Sequence, residues 1–295
     1  MKKILTVGLI GRPNVGKSTL LNQILDYKLA IVSNQAQTTR DDIKGIYNDE
    51  DYQIVFIDTP GIHKAEYLLS EKLNQKSYSV LQDVDFVVFL TPANQFFGSG
   101  DKFIVNKLNE LNVKNKMAVL SKVDLVDDKE LLNQKAKELK EAGFDTVMGI
   151  GLNLKNTYKD LLNELKKYAY ESEPLYDEED ITDISLRFMA RELIRESAIE
   201  NLYQEIPHSI TIEIDEFKED NNENIPYKIF ASLYVKKESQ KRIVVGKEGS
   251  VIKKISMLSR KKMEAAFAHK VYLEIKVKVD NNWVDNEAKI KKWGY

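Results

Sequence analysis

Residues 11–18 constrain this chain more than any other stretch, because they fit G-x-x-x-x-G-K-[ST] between a short apolar run and a helical pattern. A strand that enters such a turn and a helix that leaves it direct successive backbone N–H groups at a phosphate chain. Lys17 then reaches the β/γ-phosphates and the Ser18 hydroxyl reaches a Mg²⁺ ion. A chance glycine-rich turn is the alternative, which the flanking strand and helix disfavour. The predicted phosphate-binding residues are Gly11, Arg12, Pro13, Asn14, Val15, Gly16, Lys17 and Ser18.

The length and composition limit the class of protein. A chain of 295 residues predicts two domains, each able to bury its own core. The chain has no cysteine, which excludes disulfides, thiolate metal sites and thiol nucleophiles and suits a reducing interior. The N-terminal apolar run is broken by Thr6 and Gly8 and continues into the phosphate loop, so it predicts a strand and not a signal peptide. No apolar run approaches the roughly 18 residues of a spanning helix, so any membrane contact is expected to be peripheral.

Charge is distributed unevenly along the chain. The total is nearly balanced, with 44 Lys and Arg against 46 Asp and Glu. Residues 225–295 hold 17 Lys and Arg against 7 Asp and Glu, whereas the rest of the chain holds 27 against 39. A basic C-terminal quarter on an acidic chain suggests contact with a polyanion. A lysine-rich solvated surface is the alternative, and charge alone does not decide between them.

Residues 1–170 alternate apolar strands with longer amphipathic helices. The predicted strands include residues 52–57, 86–90 and 116–120. This alternation predicts an α/β domain with a mainly parallel sheet. Ligands of such sheets bind outside the carboxyl ends of the strands, so motifs that directly follow strands are expected to converge.

A second motif follows the strand that ends at Ile57. The Asp58 carboxylate can hold the Mg²⁺ shell, and the Gly61 N–H can approach a γ-phosphate. An ordinary turn is the alternative, which the upstream phosphate loop disfavours. The polar residues 37–41 lie between the two motifs, and the hydroxyl of Thr39 completes a predicted metal set of Ser18, Thr39 and Asp58. The nucleotide-contacting residues of this motif are Asp58, Thr59, Pro60, Gly61 and Ile62.

A third motif follows the strand that ends at Leu120. It consists of Ser121, Lys122, Val123 and Asp124. The Asp124 carboxylate can accept hydrogen bonds from N1–H and the 2-amino group of guanine, which adenine does not offer. Guanine is therefore the predicted base.

Together, these motifs resemble those of the translation-factor-related GTPases, specifically the Era family of ribosome-assembly GTPases. The family's base-reading motif is Asn-Lys-x-Asp, and here Ser121 replaces the Asn, with loss of the amide that ties this loop to the phosphate loop and to the base. The family's Ser-Ala loop, whose backbone N–H reads guanine O6, aligns with Gly151 and Leu152. These two departures predict weaker or less stringent nucleotide binding.

The resemblance implies hydrolysis of GTP to GDP and phosphate, with Mg²⁺ and Lys17 neutralising the triphosphate while water attacks in line. Ile62 stands where a Ras-like enzyme has Gln, so slow intrinsic turnover is expected. Related GTPases use an Asn at the position of Asn14 to hold K⁺, which predicts turnover stimulated by K⁺. Stimulation by RNA is also expected. The alternative is that Asn14 is a simple loop residue. Arg40 is expected in a structural ion pair. The predicted catalytic set is Asn14, Lys17, Thr39 and Gly61.

An acidic, exposed linker is predicted at residues 171–183, because residues 171–180 hold six acids and a proline. A helix capped by Asp183 or Ser185 should follow it, and then strands at 209–214 and 229–235. A closing strand is predicted at 270–279.

Residues 246–249 form a G-x-x-G loop between an apolar run and an amphipathic helix. The glycines let a sugar-phosphate backbone pass close to the chain, and the flanking apolar surface can take unstacked bases. The order of helix, two strands, loop, helices and strand resembles a type II KH domain. Trp283 and Trp293 are expected to pack in its interior, while Glu248 opposes tight phosphate binding. The predicted RNA-binding residues are Gly246, Lys247, Glu248, Gly249, Lys253, Lys254, Arg260 and Lys261.

The predicted fold is thus an α/β P-loop GTPase domain (1–170), with a mainly parallel sheet and helices on both faces, followed by the linker and an α+β type II KH domain (184–295). The resemblance implies a monomeric GTP switch that binds the single-stranded 3′ end of small-subunit ribosomal RNA and acts in assembly and maturation of the 30S subunit. It also implies a cytoplasmic location, with peripheral contact at the inner face of the cell membrane. An RNA-binding adaptor with negligible hydrolysis and a membrane-surface role for the basic patch are the alternatives.

Overall fold

The computed structural model describes residues 1–32, 39–65, 67–154, 156–220, 222, 224–281 and 283–295. The chain divides into two compact units, and the main body of the first ends at Asp183. The main body of the second runs from Ile184 to Tyr295.

The first unit is built on a seven-stranded sheet with the strand order β2-β3-β1-β4-β5-β6, in which β7 also pairs with β1. Its strands are β1 (Lys2–Gly11), β2 (Ile43–Asn48), β3 (Tyr52–Asp58), β4 (Phe86–Pro92), β5 (Lys116–Ser121), β6 (Val147–Gly149) and β7 (Tyr170–Ser172). Its helices are α1 (Lys17–Leu25), α2 (Leu68–Asp83), α3 (Ser99–Glu110), α4 (Lys129–Glu141) and α5 (Asn156–Lys166). The central pairs β3-β1, β1-β4, β4-β5 and β5-β6 are parallel, whereas β2 and β7 pair antiparallel, which confirms the mainly parallel sheet.

One core cluster of this unit lies where the sheet meets α3 and α4. Every residue of β4 is buried, as expected for a central parallel strand covered on both faces. Phe89 of β4 stacks on Phe144 with ring centroids 5.4 Å apart. Ile10 and Ile62 belong to the same cluster, so the core reaches directly beneath the predicted phosphate loop.

Parallel pairing brings the sequence motifs to one edge of the sheet. β1 ends at Gly11, β3 at Asp58, β5 at Ser121 and β6 at Gly149. Their carboxyl ends point the same way because these strands run parallel. The edge that should bind a ligand is therefore formed by the loops that carry the motifs.

The acidic residues 171–183 are largely exposed and belong to the first unit. The Ile46 N–H donates to the Ile181 carbonyl at 2.8 Å. The Gln53 side-chain amide donates to the Tyr176 carbonyl at 2.9 Å. Hydrogen bonds to backbone carbonyls thus fix this connection along β2 and β3, which its composition did not indicate.

The second unit is an α+β layer of three strands in the order β10-β9-β8. Its strands are β8 (Thr211–Lys218), β9 (Tyr227–Val235) and β10 (Val271–Val279), and its helices are α6 (Leu186–Asn201), α7 (Ile206–Ser209), α8 (Glu238–Val245), α9 (Ser250–Phe267) and α10 (Glu287–Lys292). β8 starts two residues later than predicted because residues 206–209 form α7, whose first turn contains Pro207. Proline suits that position because the first N–H groups of a helix have no internal partner.

Local capping and packing agree with the sequence in this unit. The Ser185 side chain caps α6 by accepting from the Phe188 N–H. Trp283 is fully buried and donates its indole N–H to the Ser209 carbonyl at 2.9 Å. Trp293 is 5% exposed, so both tryptophans pack inside as predicted. Among the described residues, no helix combines the length and apolarity needed to cross a bilayer.

Candidate nucleotide site and nucleic-acid surface

The loop between β1 and α1 has the backbone that its glycines predicted. Gly16 adopts φ 103° and Asn14 φ 62°, both in the left-handed region. Glycine takes this conformation without strain, and asparagine takes it more readily than most other residues. The loop therefore turns sharply into the N-terminus of α1, where backbone N–H groups lack helical partners and favour an anion.

Lys17 lies at the mouth of this loop and is 5% exposed. Its ammonium donates to the carbonyls of Gly11 at 3.3 Å and Arg12 at 3.1 Å. Burial lowers its pKa to about 8, while the nearby Asp58 carboxylate opposes the shift. A desolvated ammonium on this loop is suited to a strongly anionic ligand, which would restore the lost solvation.

Ser18, Thr39 and Asp58 come together beside Lys17. The Ser18 hydroxyl donates to Asp58 Oδ2 at 2.6 Å and lies 3.0 Å from the Thr39 hydroxyl. Asp58 Oδ1 is buried and has no hydrogen-bond partner among the described residues. Burial raises the Asp58 pKa to about 6, against the opposing effects of Lys17 and Ser18. Two hydroxyls and a carboxylate with an unpaired oxygen fit Mg²⁺, which prefers oxygen ligands and shares them with substrate phosphates.

Arg12 contributes to the loop through its backbone, because its side chain points elsewhere. Its guanidinium pairs with the fully buried Asp101 at 2.9 Å and donates to the Gln95 side chain at 3.1 Å. A Cβ on Gly100 would stand 2.7 Å from Arg12 Cδ, so α3 packs tightly against this side chain. Asp101 thus supports the phosphate loop, and no motif signalled this role.

The segment 58–62 packs directly against the phosphate loop. A Cβ on Gly61 would lie 2.6 Å from the Pro13 nitrogen, so only glycine fits there. The Ile62 N–H donates to the Gly11 carbonyl at 3.1 Å, and the Ile62 side chain is fully buried. The Thr59 hydroxyl donates to the Leu9 carbonyl at 2.8 Å, and the Pro60 carbonyl accepts from α2. Ile62 therefore anchors the segment and cannot orient a water molecule.

Ser121 corrects one expectation from the sequence. The loss of the family's Asn was expected to untie the base loop from the phosphate loop, but the buried Ser121 hydroxyl donates to the Val15 carbonyl at 2.5 Å. Lys122, with φ 59°, adds a second link by donating from Nζ to the Asn14 carbonyl at 3.0 Å. The Val123 N–H then donates to the Ile150 carbonyl at 3.1 Å, which joins the third motif to the loop after β6.

Asp124 faces that loop, which contains the aligned residues Gly151 and Leu152. Asp124 Oδ2 accepts from the Asn153 side chain at 3.0 Å and from the Asn153 N–H at 3.3 Å. The Leu152 side chain is 54% exposed. Asn153 was not singled out from the sequence, because an asparagine in a polar loop carries no distinctive pattern.

Residues 37 and 38 of the polar segment between the first two motifs lie outside the described part of the chain. Arg40 is described and is 1% exposed, so its guanidinium lies inside the protein, as expected for a structural residue. Over the described residues, no group of three or more His, Cys, Asp or Glu side chains is placed to hold a metal ion. Any metal at this edge would depend on hydroxyl and phosphate oxygens in addition to Asp58.

The G-x-x-G loop of the second unit joins α8 to α9. Gly246 and Gly249 have φ 72° and φ 76°, and Glu248 between them has φ 51°. The side chains of Lys247, Lys253, Lys254 and Lys261 are exposed, and within the described structure none of them forms an ion pair.

The three cations at residues 260–262 differ in their partners and in their exposure. Lys262 pairs with Glu196 and Glu200 of α6 at 2.8 Å each, which fixes α9 on α6. Arg260 stands 3.9 Å from Glu264 on its own helix and stays exposed. Arg260 and Lys261 therefore remain accessible to an anion, whereas Lys262 is held within the unit.

Large apolar side chains are also exposed in this unit. Ile243 of α8, Met257 of α9 and Tyr272 of β10 are 55%, 59% and 49% exposed. Accessible apolar and aromatic side chains in a unit that also exposes lysines are suited to unstacked bases and their phosphates.

Two family models match the chain. The model described as 50S ribosome-binding GTPase matches residues 6–122, and the KH domain model matches residues 205–284. The first match contains the three nucleotide motifs up to Lys122, and the second contains the G-x-x-G loop.

Curated relatives match along almost the whole chain. The GTPase Era of Mycoplasmopsis pulmonis (strain UAB CTIP) is 50% identical over 292 residues, covering 99% of both chains. The GTPase Era of Mycoplasmopsis agalactiae (strain NCTC 10123 / CIP 59.7 / PG2) is 48% identical over 293 residues, again covering 99% of both.

Solved structures show the same similarity. A crystal structure of Era in complex with MgGDPNP and nucleotides 1506–1542 of 16S ribosomal RNA has a TM-score of 0.93 and 30% identity, covering 100% of this chain and 99% of that one. A crystal structure of a single-residue variant of Aquifex aeolicus Era bound to GDP and aluminium fluoride has a TM-score of 0.90 and 32% identity, covering 99% of both chains.

Proposed function

The chain belongs to the Era family of GTPases, and from that premise we propose that it hydrolyses GTP and binds small-subunit ribosomal RNA near its 3′ end. In this role it acts as a switch in assembly and maturation of the 30S subunit. The observation that carries the hydrolytic part is that the Ser18 hydroxyl donates to the buried Asp58 carboxylate beside the buried Lys17, with one Asp58 oxygen unpaired. The similar Era structures contain MgGDPNP or GDP with aluminium fluoride, so GTP, GDP and Mg²⁺ are the proposed ligands.

Each residue at the phosphate end has a proposed task. Ser18 and Thr39 offer hydroxyl oxygens to Mg²⁺, and Asp58 offers its carboxylate. When bound, the ion neutralises charge on the β- and γ-phosphates. Lys17 exchanges its two carbonyl acceptors for phosphate oxygens, and the Gly61 N–H donates to the γ-phosphate. The remaining residues of the phosphate loop contribute backbone N–H groups, except Pro13, which has none.

The base end completes the proposed nucleotide site. Asp124 accepts from guanine, and the backbone N–H groups at Gly151 and Leu152 face its O6. Lys122 lies across the base, and Ser121 and Val123 hold the loop in place through their hydrogen bonds to neighbouring loops.

Slow turnover follows from the position after Gly61. Ile62 is buried and apolar, so no side chain there can orient the attacking water. We propose that K⁺ held by Asn14 supplies the missing positive charge, and that bound RNA accelerates turnover further. The position of Asn14 on the phosphate loop, at φ 62°, supports this proposal.

Phosphate release in KCl and in NaCl tests this proposal on the full chain. The matched variant is Asn14→Gly, because glycine accepts φ 62° and only the side-chain amide is lost, whereas alanine would add backbone strain. We expect faster release in KCl for the wild-type protein and equal rates in both salts for the variant. Equal wild-type rates would remove the K⁺ role. Tight GTP binding without phosphate release would instead favour the RNA-binding adaptor.

The RNA part of the proposal assigns phosphate contacts to the exposed cations around the G-x-x-G loop. Gly246 and Gly249 allow the RNA backbone to approach, and Glu248 weakens binding slightly through its negative charge. The proposed phosphate contacts are Lys247, Lys253, Lys254, Arg260 and Lys261.

A double variant, Lys253→Ala with Lys254→Ala, tests those contacts in the full chain. A single-stranded RNA with the sequence of the 16S 3′ end and a duplex of the same length serve as ligands. We expect preference for the single strand, and a salt slope that falls by about 1.4 when the two lysines are lost. Lys129→Ala with Lys140→Ala removes the same charge from exposed positions on α4 and should leave binding unchanged. Equal binding of the single strand and the duplex would contradict the RNA assignment.

We further propose a monomer in the cytoplasm, with peripheral attachment to the inner face of the cell membrane, a GTPase domain at 1–170, a linker at 171–183 and a KH domain at 184–295. The absence of cysteine suits a reducing compartment. Co-sedimentation of the full chain with anionic vesicles at low and physiological salt tests the membrane part, which requires binding that falls as salt rises.

A further inference from the structure

The loop after β6 contacts the Asp124 carboxylate from two sides. On one side, the Asn153 side-chain amide donates to Oδ2 at 3.0 Å, and the Asn153 backbone N–H donates to the same oxygen at 3.3 Å. Hydrogen bonds to a charged acceptor are stronger than those between neutral groups. The two donors of Asn153 therefore restrict rotation of the carboxylate about the Cβ–Cγ bond of Asp124.

On the other side, Gly151 packs closely against Asp124 Oδ1. A Cβ at this position would lie 2.7 Å from Asp124 Oδ1 and 2.9 Å from Cγ. Position 151 therefore has no room for a side chain beside the present carboxylate, and it supplies no side-chain donor. The side-chain donor comes from two residues further along the same loop.

We propose that Asn153 is a positioning residue that orients the Asp124 carboxylate toward N1–H and the 2-amino group of guanine, and so sets the preference of this chain for guanine over hypoxanthine. The inference rests on the guanine site proposed above. An ionised carboxylate has about four lone-pair sites, and Asn153 takes two of them at Oδ2, so two remain to accept from N1–H and the 2-amino group of guanine. A carboxylate that is already oriented lowers the entropy cost of binding the base.

The exposure of this region makes such a positioning group useful. Asp124 is only partly buried, in a short turn over Val123–Leu125. Among the described residues, Asn153 donates both hydrogen bonds to this carboxylate. Without Asn153, water would replace these donors and the carboxylate would lose its fixed orientation.

Binding of GDP, IDP and ADP to the full chain, measured by calorimetry with Mg²⁺, tests the proposal through Asn153→Ala. IDP keeps N1–H and lacks the 2-amino group, so it can make one of the two contacts to Asp124. We expect the variant to weaken GDP binding about tenfold, the scale of one hydrogen bond to a charged group. IDP should weaken less because it depends on one contact, so the preference for GDP over IDP should shrink. Equal weakening of GDP and IDP would indicate a general structural role and overturn the proposal.

Two further variants keep the outcome interpretable. Asn153→Asp places a second carboxylate beside Asp124 and should weaken GDP binding more than Asn153→Ala does. Asn156→Ala makes the same substitution at an exposed position at the start of α5 and should leave all three affinities unchanged. Tighter GDP binding by Asn153→Ala would mean that Asn153 occupies the place of the base, which overturns the proposal. If the wild-type protein fails to prefer GDP to ADP, the guanine site itself fails; if it prefers GDP and Asn153→Ala leaves the GDP to IDP ratio intact, only the role of Asn153 fails.

Discussion

The two ends of the nucleotide site are built on different physical terms. At the phosphate end, Lys17, Thr39 and Asp58 are 5%, 7% and 0% exposed, and their charges and hydroxyls have been taken out of water. At the base end, Asn153 is exposed and Asp124 is only partly buried. Burying charges costs folding free energy that a bound anion and cation can offset. Hydrogen bonds in a wetter loop contribute less each and tolerate replacement more easily.

The pKa values at the phosphate end express this cost. Burial is the largest cause of both shifts, lowering the Lys17 pKa to about 8 and raising the Asp58 pKa to about 6. Both shifts disfavour the charged form, even though each group partly stabilises the other. The phosphate end is therefore less stable without its ligands than a neutral core of the same shape would be. Replacing a buried charged residue there should raise the free energy of unfolding and weaken nucleotide binding.

Lys17→Met should have the largest effect on nucleotide affinity and on stability at the phosphate end. The variant keeps most of the apolar stem and loses the ammonium, so GTP affinity should fall by about two to three orders of magnitude. In nucleotide-free protein with EDTA, the free energy of unfolding should rise by about 1–3 kcal/mol, because the lowered Lys17 pKa means that its charge costs more in the folded than in the unfolded state, even beside Asp58. Urea unfolding and nucleotide titration measure the two effects, with Lys159→Met on exposed α5 as the matched control. A less stable Lys17→Met variant would contradict the account of this end.

The stabilities of the wild-type protein and Lys17→Met should converge as the pH rises. The folded-state pKa of Lys17, about 8, lies below its ordinary value of 10.5, so the folded protein binds fewer protons between these values. The cost of the buried charge is complete below about pH 8 and is relieved as the pH rises toward 10.5. The stability advantage of Lys17→Met over the wild-type protein should therefore shrink across that window. An advantage that stays constant from pH 7 to pH 10 would argue against a buried ammonium.

Gly61→Ala should have the next largest effect. A Cβ there would meet the Pro13 nitrogen at 2.6 Å and the Pro13 Cα at 2.7 Å, and these backbone atoms cannot yield without moving the phosphate loop. We expect phosphate release to fall at least about a hundredfold, while GDP binding falls less, because Gly61 is proposed to contact the γ-phosphate alone. Gly98→Ala is the steric control, since its nearest neighbouring atom is 3.8 Å away. Equal losses of GDP and GTP binding would show that the whole loop has been displaced.

The sequence predicted the phosphate end better than the base end for the same physical reason. Glycines at sharp turns, a lysine and a hydroxyl have fixed spacing along one short segment, so the motif itself carries the geometry. Contacts between loops that are far apart in the sequence are not signalled by any such motif. Arg12 and Asp101 lie far apart in the sequence, and only the packing of α3 brings them to 2.9 Å.

Ser121 illustrates the limit most clearly. Residue type alone suggested that a short side chain could not replace an amide. Whether the serine hydroxyl reaches the phosphate loop depends on how closely the end of β5 approaches Val15, and that distance is set by the parallel pairing of β1, β4 and β5. The hydroxyl meets the Val15 carbonyl at 2.5 Å, so the fold compensates for the shorter side chain.

Ser121→Ala tests that compensation and should have an intermediate effect. The hydroxyl is buried, so its removal takes a buried donor from the Val15 carbonyl and should cost about 1–2 kcal/mol of stability. GDP release should accelerate about three- to tenfold, because the base loop is then less firmly held to the phosphate loop. Stopped-flow release of a fluorescent GDP analogue measures this rate. Ser79→Ala removes an exposed serine hydroxyl from α2 and should change neither quantity; unchanged GDP release in Ser121→Ala would mean that the tie has no function.

Lys122→Met should have the smallest effect and sharpens the contrast between the ends. The Lys122 ammonium donates to the Asn14 carbonyl at 3.0 Å in an exposed position, where water can take its place. Methionine keeps most of the apolar stem that would lie across the base, so only the polar link is lost. We expect GDP affinity to fall about twofold, against the orders of magnitude expected for the same substitution at the buried Lys17. Lys129→Met on exposed α4 is the control for charge alone. A loss by Lys122→Met as large as that of Lys17→Met would show that exposure does not set the scale, and the distinction between the two ends would fail.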